Sequence, residues 1–361
     1  MREKKLYEYQ PDYYVIPGET LQETIEFLNM THAEFAKRMS MTEQSLVRII
    51  KGEQPITQDT AQKLELVTGV SNEFWMNLEA QYHKQKQLVE EHKKAELYSA
   101  WLKQFPIKEL VKRNFIKPLS DVVLQVREVL GLFRISSIDT FDSAVTRMAA
   151  TARGSAAYAT NPIMAFTYVA MGIKEAEGIN VEPYDRAKLK QALHLVKAMT
   201  ADLPSDFSIQ LQSLFASAGV ALVYIPELQG VHWNGVSKWL SPTNAMIIMN
   251  KRGKGEDKFL FSLFHEAAHL LLHSKKALYV STSSPDSEEE REANKFAADF
   301  LIPESYNDRI VHAQTQQDVI AIAAELGIAP GIVVGRYHHL TRKWHAFAHL
   351  IRKLEWKTDT D

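Results

Sequence analysis

His265-Glu266-Ala-Ala-His269 lies in a stretch that is apolar almost throughout, KFLFSLFHEAAHLLLH from Lys258 to His273. Such a pattern predicts a central helix rather than a surface one, with Asp257 as its N-cap. Ionisable side chains inside it are costly unless they are paired or bind a metal. The i, i+4 spacing sets both imidazoles on one face, one turn apart, as two ligands of a single cation require. Glu266 is turned by about 100° from His265, which places it beside the ion and suits it to take a proton from water. A catalytic zinc site needs a third protein ligand and one open position. The chain has no cysteine, so that ligand must be a histidine or a carboxylate. His273, four residues further on, is open to two readings, an extra ligand or, in preference, a structural histidine at the helix end.

The third ligand is expected from a second helix, Ser287–Ile302, where Ser287 and Glu290 have capping-box spacing. Its inner face is Ala293, Phe296, Ala297, Phe300 and Leu301. Glu292 stands at the edge of that face, one turn before Phe296, and can point inward. Glu288, Glu289 and Asp299 are rivals, and helix geometry alone does not exclude Glu289. Glu288 to Glu290 read as a solvated acidic first turn favoured by the helix dipole.

The run Phe264 to His273, followed by Glu290-Arg-Glu292-Ala-Asn-Lys-Phe-Ala-Ala-Asp-Phe-Leu-Ile-Pro303, resembles the ImmA/IrrE family of zinc metallopeptidases. Gly219 to Pro226 and Leu326 to Gly335 share that family's texture, so the resemblance spans roughly Pro204 to Trp356. It implies His265, His269 and Glu292 as Zn2+ ligands and Glu266 as catalytic base. It also implies cleavage of a helix-turn-helix repressor, relieving repression in a stress, phage or toxin–antitoxin setting. An extended substrate is expected along an exposed strand at Gly235–Leu240. Tyr279, Tyr306, Tyr337, His338 and His339 are candidates for steadying an oxyanion, with nothing to choose between them.

The elements that position these residues follow from their punctuation. Val220–Ile225 and Asn244–Asn250 read as buried strands. Gln317–Leu326, a turn through Gly327 to Pro330, and Gly331–Leu340 form a second helix-turn-helix-like pair. Near the N-terminus, Thr20–Leu28 is amphipathic; Thr31, Thr42, Thr57 and Ser71 cap four further short helices. Leu46, Ile49, Phe74 and Trp75 are expected in their core. Ile16-Pro-Gly-Glu19, the Gly52 to Ala61 segment and Gly69 to Tyr82 resemble the HigA-type branch of the XRE helix-turn-helix family. The resemblance implies that the Thr42–Lys51 helix enters the major groove of double-stranded operator DNA. There Gln44 suits adenine and Arg48 suits guanine or phosphate, while Thr42, Ser45 and Lys51 complete the expected DNA contacts. Glu43 runs against an anionic partner.

Composition frames these readings. At 45% hydrophobic and 24% charged over 361 residues, the chain is an ordinary globular one with room for two or three domains. It lacks a signal peptide's apolar core and any membrane-length apolar run, so a cytoplasmic location without membrane contact is expected. Residues 1–80 hold eight Lys/Arg against thirteen Asp/Glu, whereas residues 81–120 hold nine against four. The first domain is therefore acidic, which weakens a purely electrostatic case for DNA binding.

The expected fold is α+β and mostly helical. Residues 1–85 form the helix-turn-helix domain, 86–205 a helical linker domain, and 206–361 a zincin-like domain with a small sheet around the HExxH helix. The expected function is a DNA-bound, zinc-dependent peptidase acting on a partner repressor or on itself, as a homodimer. The alternatives are an antitoxin-like repressor whose zinc domain senses metal or docks a toxin or other partner, and a chain whose acidic N-terminal module only recognises a repressor.

Overall fold

The computed structural model describes residues 13–153, 161–231, 233–250, 255–275, 277–281 and 287–354. The architecture is α+β and mostly helical, in two compact units. One runs up to Lys103 and includes Pro118–Arg127; the other comprises Gln104–Lys117 and the chain from Glu128 onward. The stretch expected as a separate linker domain is thus shared between them.

The first unit is built on α1 (Pro17–Phe27), α2 (His32–Arg38), α3 (Glu43–Ile50), α4 (Gln58–Thr68) and α5 (Asn72–His92). Thr31, Thr42, Thr57 and Ser71 each accept a hydrogen bond from a backbone N–H three residues on, satisfying donors that a helix start leaves free. Leu21, Ile25, Phe35, Leu46, Ile49 and Trp75 close the core. Phe74, expected among them, is 45% exposed, because Trp75 takes the inward position one residue later. Ser40 adopts a left-handed φ of 52° between α2 and α3, which makes the turn tight. Gly18 lies against the Ile50 carbonyl, where an added Cβ would stand 2.0 Å from the oxygen. α5 continues to His92, well past the boundary expected at 85.

The second unit is organised on a five-stranded mixed sheet of order β1-β5-β3-β4-β2: β1 (Ala152–Arg153), β2 (Val220–Tyr224), β3 (Gly235–Trp239), β4 (Ala245–Met249) and β5 (Leu278–Ser281). β2 and β4 run parallel in the register Val220↔Ala245, and β3 is antiparallel to both β4 and β5. The expectation of an exposed strand at Gly235–Leu240 is therefore corrected. β3 is central, hydrogen-bonded on both edges and mostly buried, so its backbone is not free to pair with a substrate.

One face of the sheet carries the buried helix Glu256–Leu272, packed through Leu263, Phe264 and Ala267 against the cluster that holds Ile247 and Met249. On the other face, the Pro162–Glu177 helix comes so close that a Cβ on Gly172 would meet Ile248 at 2.2 Å. The Gln316–Leu326 and Pro330–Thr341 helices follow as expected, the first with a Thr315/Asp318 capping box. Among the described residues no single helix is long and apolar enough to cross a membrane, and this last pair is bent by 115°.

Candidate metal centre

The Glu256–Leu272 helix is pinned at both ends. Glu256 is 1% exposed and accepts from the Arg352 backbone N–H and from its Nε at 2.8 Å. Gly255, rather than Asp257, occupies the N-cap position, and no side chain caps this end. Near the other end, Tyr184 Oη donates to the Leu270 carbonyl. Between these anchors His265, Glu266 and His269 are all buried, as the sequence predicts.

The facing helix, Glu288–Leu301, brings the carboxylate. Its buried positions are Glu290, Ala293, Ala297 and Leu301, a stripe at helical spacing whose alanines let the two helices approach. Glu290 is 2% exposed and completes a triangle with the two imidazoles. His265 Nε2 and His269 Nε2 are 3.0 Å apart; Glu290 Oε2 is 3.2 Å from the first and Oε1 is 3.1 Å from the second. These three residues could hold one metal ion.

Glu292, the carboxylate expected in that place, is absent from the triangle. Its side chain is 55% exposed, and Oε2 accepts from His273 Nε2 at 3.0 Å. The physical reason is register: Glu290 lies three and seven residues before Ala293 and Ala297, whereas Glu292 lines up with the half-buried Phe296. Ser287 caps the helix by accepting from Glu290 N–H, but the Glu290 side chain turns inward instead of closing a capping box.

Electrostatics fits a cation. Burial alone would raise the Glu290 carboxyl, but the two imidazoles that face it, His265 and His269, outweigh burial and hold the group down to about 2. Burial, helped by His265 and His273, pushes His269 down to about 4 despite Glu290. For His265 burial is overcome by Glu290 and Glu266, so it stands above its ordinary value. A charged carboxylate thus faces a neutral imidazole with a free lone pair at neutral pH. His265 Nδ1 donates to Asn294 Oδ1 at 3.0 Å, which directs its Nε2 lone pair inward. In a tetrahedral zinc site, ligand atoms about 2.1 Å from the ion stand roughly 3.4 Å apart, close to the triangle observed.

Glu266 is 0% exposed and lies directly on Gly235 of β3. A Cβ at Gly235 would stand 2.5 Å from Glu266 Oε1 and 2.6 Å from its Cγ. Gly235→Ala is expected to destabilise this unit by about 1–3 kcal/mol through overpacking, read as a lowered urea midpoint. An unchanged midpoint would mean that Glu266 moves away at no expense. Of the candidates for steadying an oxyanion, Tyr279 alone has a described contact with the triangle. Its ring stacks on His269 at 4.4 Å and 10°, and its hydroxyl is within hydrogen-bonding reach of Ser274. Tyr306 donates to Glu325, and His338 donates to the Ala346 carbonyl. Tyr337 packs on Phe347, and His339 is lowered by burial.

Comparison with known proteins matches two segments of the chain. The helix-turn-helix profile matches residues 26–74, and the profile of the peptidase M78 family, described as an IrrE N-terminal-like domain, matches residues 223–338. An uncharacterized HTH-type transcriptional regulator, YddM of Escherichia coli K12, is 35% identical over 63 residues, which are 18% of this chain and 67% of that protein. The chain belongs to the XRE-type helix-turn-helix family and carries an IrrE-like domain. An addiction module antidote protein of the HigA family from Coxiella burnetii is 35% identical, with a TM-score of 0.22, covering 23% of this chain and 90% of that one. A putative antidote protein of a plasmid maintenance system from Nostoc punctiforme is 25% identical, with a TM-score of 0.23, over 23% and 92%. His265, Glu266, His269 and Glu290 all fall inside the IrrE-like match.

In the XRE-type domain, Gln44 and Arg48 are on the outer face of α3 and Lys51 is at its C-cap. They line a shallow hollow with Glu43, Val47 and Glu53. Thr42 and Ser45 are engaged locally instead: Ser45 N–H donates to Thr42 Oγ1, and Thr42 Oγ1 donates to Ser45 Oγ at 2.9 Å.

Proposed function

We propose that this XRE-type regulator is a zinc-dependent endopeptidase whose substrate is a helix-turn-helix repressor and whose own N-terminal domain binds operator DNA. The observation that carries the reading is the buried triangle of His265, His269 and Glu290 with Glu266 beside it on the same helix. Held by those three residues, zinc would supply Lewis acidity, acidifying water and polarising a peptide carbonyl. Glu266 accepts the proton of the attacking water. It then returns that proton to the amine nitrogen as the peptide C–N bond breaks, leaving a carboxylate and a free amine. Burial of Glu266 keeps bulk water away from this exchange.

An extended substrate segment fits best beside β5, the strand that carries Tyr279 against His269. Among the described residues its outer edge is paired with β1 at Leu278 and Tyr279 and has no strand beside Val280 and Ser281, where the segment would run. Zinc-loaded full-length protein, incubated with the helix-turn-helix repressors encoded nearby, is expected to yield new termini by mass spectrometry. Chelation is expected to abolish them. Tight zinc binding with no cleavage of any repressor, or of the chain itself, would replace this reading with a non-proteolytic repressor that senses metal or docks a toxin.

On DNA, the exposed face of α3 supplies the contacts, with Gln44 and Arg48 reading bases and Lys51 meeting phosphate. Two copies reading two half-sites would make the active form a homodimer. Arg48→Ala is expected to weaken binding to the protein's own promoter by about 1–3 kcal/mol and to relax sequence preference. Fluorescence anisotropy checks this, and unchanged affinity would remove DNA reading from α3.

A further inference from the structure

His273 and Glu292 lie outside the triangle yet are joined to it in series. Glu292 Oε2 can only accept, so His273 Nε2, 3.0 Å away, carries the proton. In neutral His273 the Nδ1 atom is then an acceptor, and it lies 2.9 Å from His269 Nδ1. His269 then donates from Nδ1, the tautomer that leaves its Nε2 lone pair for a cation shared with His265 Nε2 and Glu290 Oε1. His273 sits behind His269, on the side away from the triangle, so it is no fourth ligand. Its own side chain is 5% exposed, whereas that of Glu292 is 55% exposed.

We propose that His273 and Glu292 form a carboxylate–histidine relay that fixes the tautomer and ring orientation of His269 for metal binding. The pair acts through His269 and touches neither substrate nor ion, which makes both members positioning residues. The inference rests on the metal-binding reading above. Its logic is that of ligating histidines generally, whose second nitrogen is held by a carboxylate or carbonyl. Here an intervening imidazole extends the reach, because the backbone N–H of His273 bonded to the His269 carbonyl keeps the two rings one turn apart. Tyr279, stacked on His269, and Asn294, bonded to His265, brace the same pair from other directions.

The test is zinc affinity of the full-length protein, measured by competition with a chromophoric chelator. His273→Ala and Glu292→Ala are each expected to weaken zinc binding by roughly 10–100-fold. The double variant is expected to be no weaker than the worse single one, because the two act in series. Glu292→Gln, which keeps an acceptor, recovers part of the loss. Glu288→Ala, which removes an equal charge from an exposed position of the same helix, leaves affinity essentially unchanged. Side-chain 15N spectra of the zinc-free protein should show His269 protonated at Nδ1, with that tautomer lost in Glu292→Ala. Equal effects of Glu288→Ala and Glu292→Ala, or additive effects of His273→Ala and Glu292→Ala, overturn the relay. Should His273→Ala fail to fold, Glu292→Ala at its exposed position still decides the matter. Absence of zinc binding by the unaltered protein would instead overturn the metal site itself, and the tautomer would still report on the relay.

Discussion

Glu266→Gln is expected to keep zinc affinity within a few-fold of the unaltered protein and to lower kcat/KM for repressor cleavage by roughly 10²–10⁴-fold. Retention of metal follows from geometry: the triangle is closed by His265, His269 and Glu290 without Glu266. Retention of fold follows from shape. Glutamine has nearly the same volume, so it can occupy the space over Gly235 that admits no added Cβ. Loss of cleavage follows from chemistry, since an amide cannot take up and return a proton at neutral pH. Loss of zinc together with activity would make Glu266 a ligand. Unaltered cleavage would remove it from the proton transfer.

How far the sequence anticipates this arrangement depends on the residue. His265 and His269 are legible because two imidazoles at i, i+4 in an apolar helix would be costly to bury without a shared cation. The caps Thr31, Thr42, Thr57 and Ser71 are legible because their chemistry is local. Glu290 is hidden by two local roles that would each account for a glutamate there: it falls in an acidic first turn, and it stands at the capping-box position behind Ser287. What identifies it is the alanine stripe. Extending Ala293 and Ala297 back by one step reaches Glu290, whereas weighting the aromatic Phe296 and Phe300 leads to Glu292. Those phenylalanines are only partly buried, because small side chains, not large ones, mark the line of closest helix approach. β3 is misjudged for a related reason. Ser237 and Lys238 look like an exposed face, yet Ser237 is fully buried beneath the motif helix. Polarity along a five-residue strand cannot reveal that both of its edges are paired. Gly235 escapes notice as well, since its role exists only once Glu266 has been folded on top of it.

The two glutamates of the acidic helix offer the sharpest discrimination, because they are two residues apart and play opposite parts. Glu290→Ala is expected to weaken zinc binding by more than the ~10–100-fold that loss of an outer partner costs. It removes both the third donor and the one carboxylate in the triangle. Two neutral imidazoles would then face a dication inside a buried site with no compensating charge, an arrangement that burial makes strongly unfavourable. Glu292→Ala removes the same charge at a position whose side chain is 55% exposed, so solvent takes up most of the difference. What remains is the weaker hold on His273. The expected order of zinc affinity is therefore unaltered protein, then Glu292→Ala, then Glu290→Ala far below. The reverse order would return Glu292 to the metal and require the Glu288–Leu301 helix to turn by roughly 200° in solution. Such a rotation would expose Ala293 and Ala297, bury Lys295 and Asp299, and break the cap at Ser287. Packing and capping thus point to Glu290 independently of any metal.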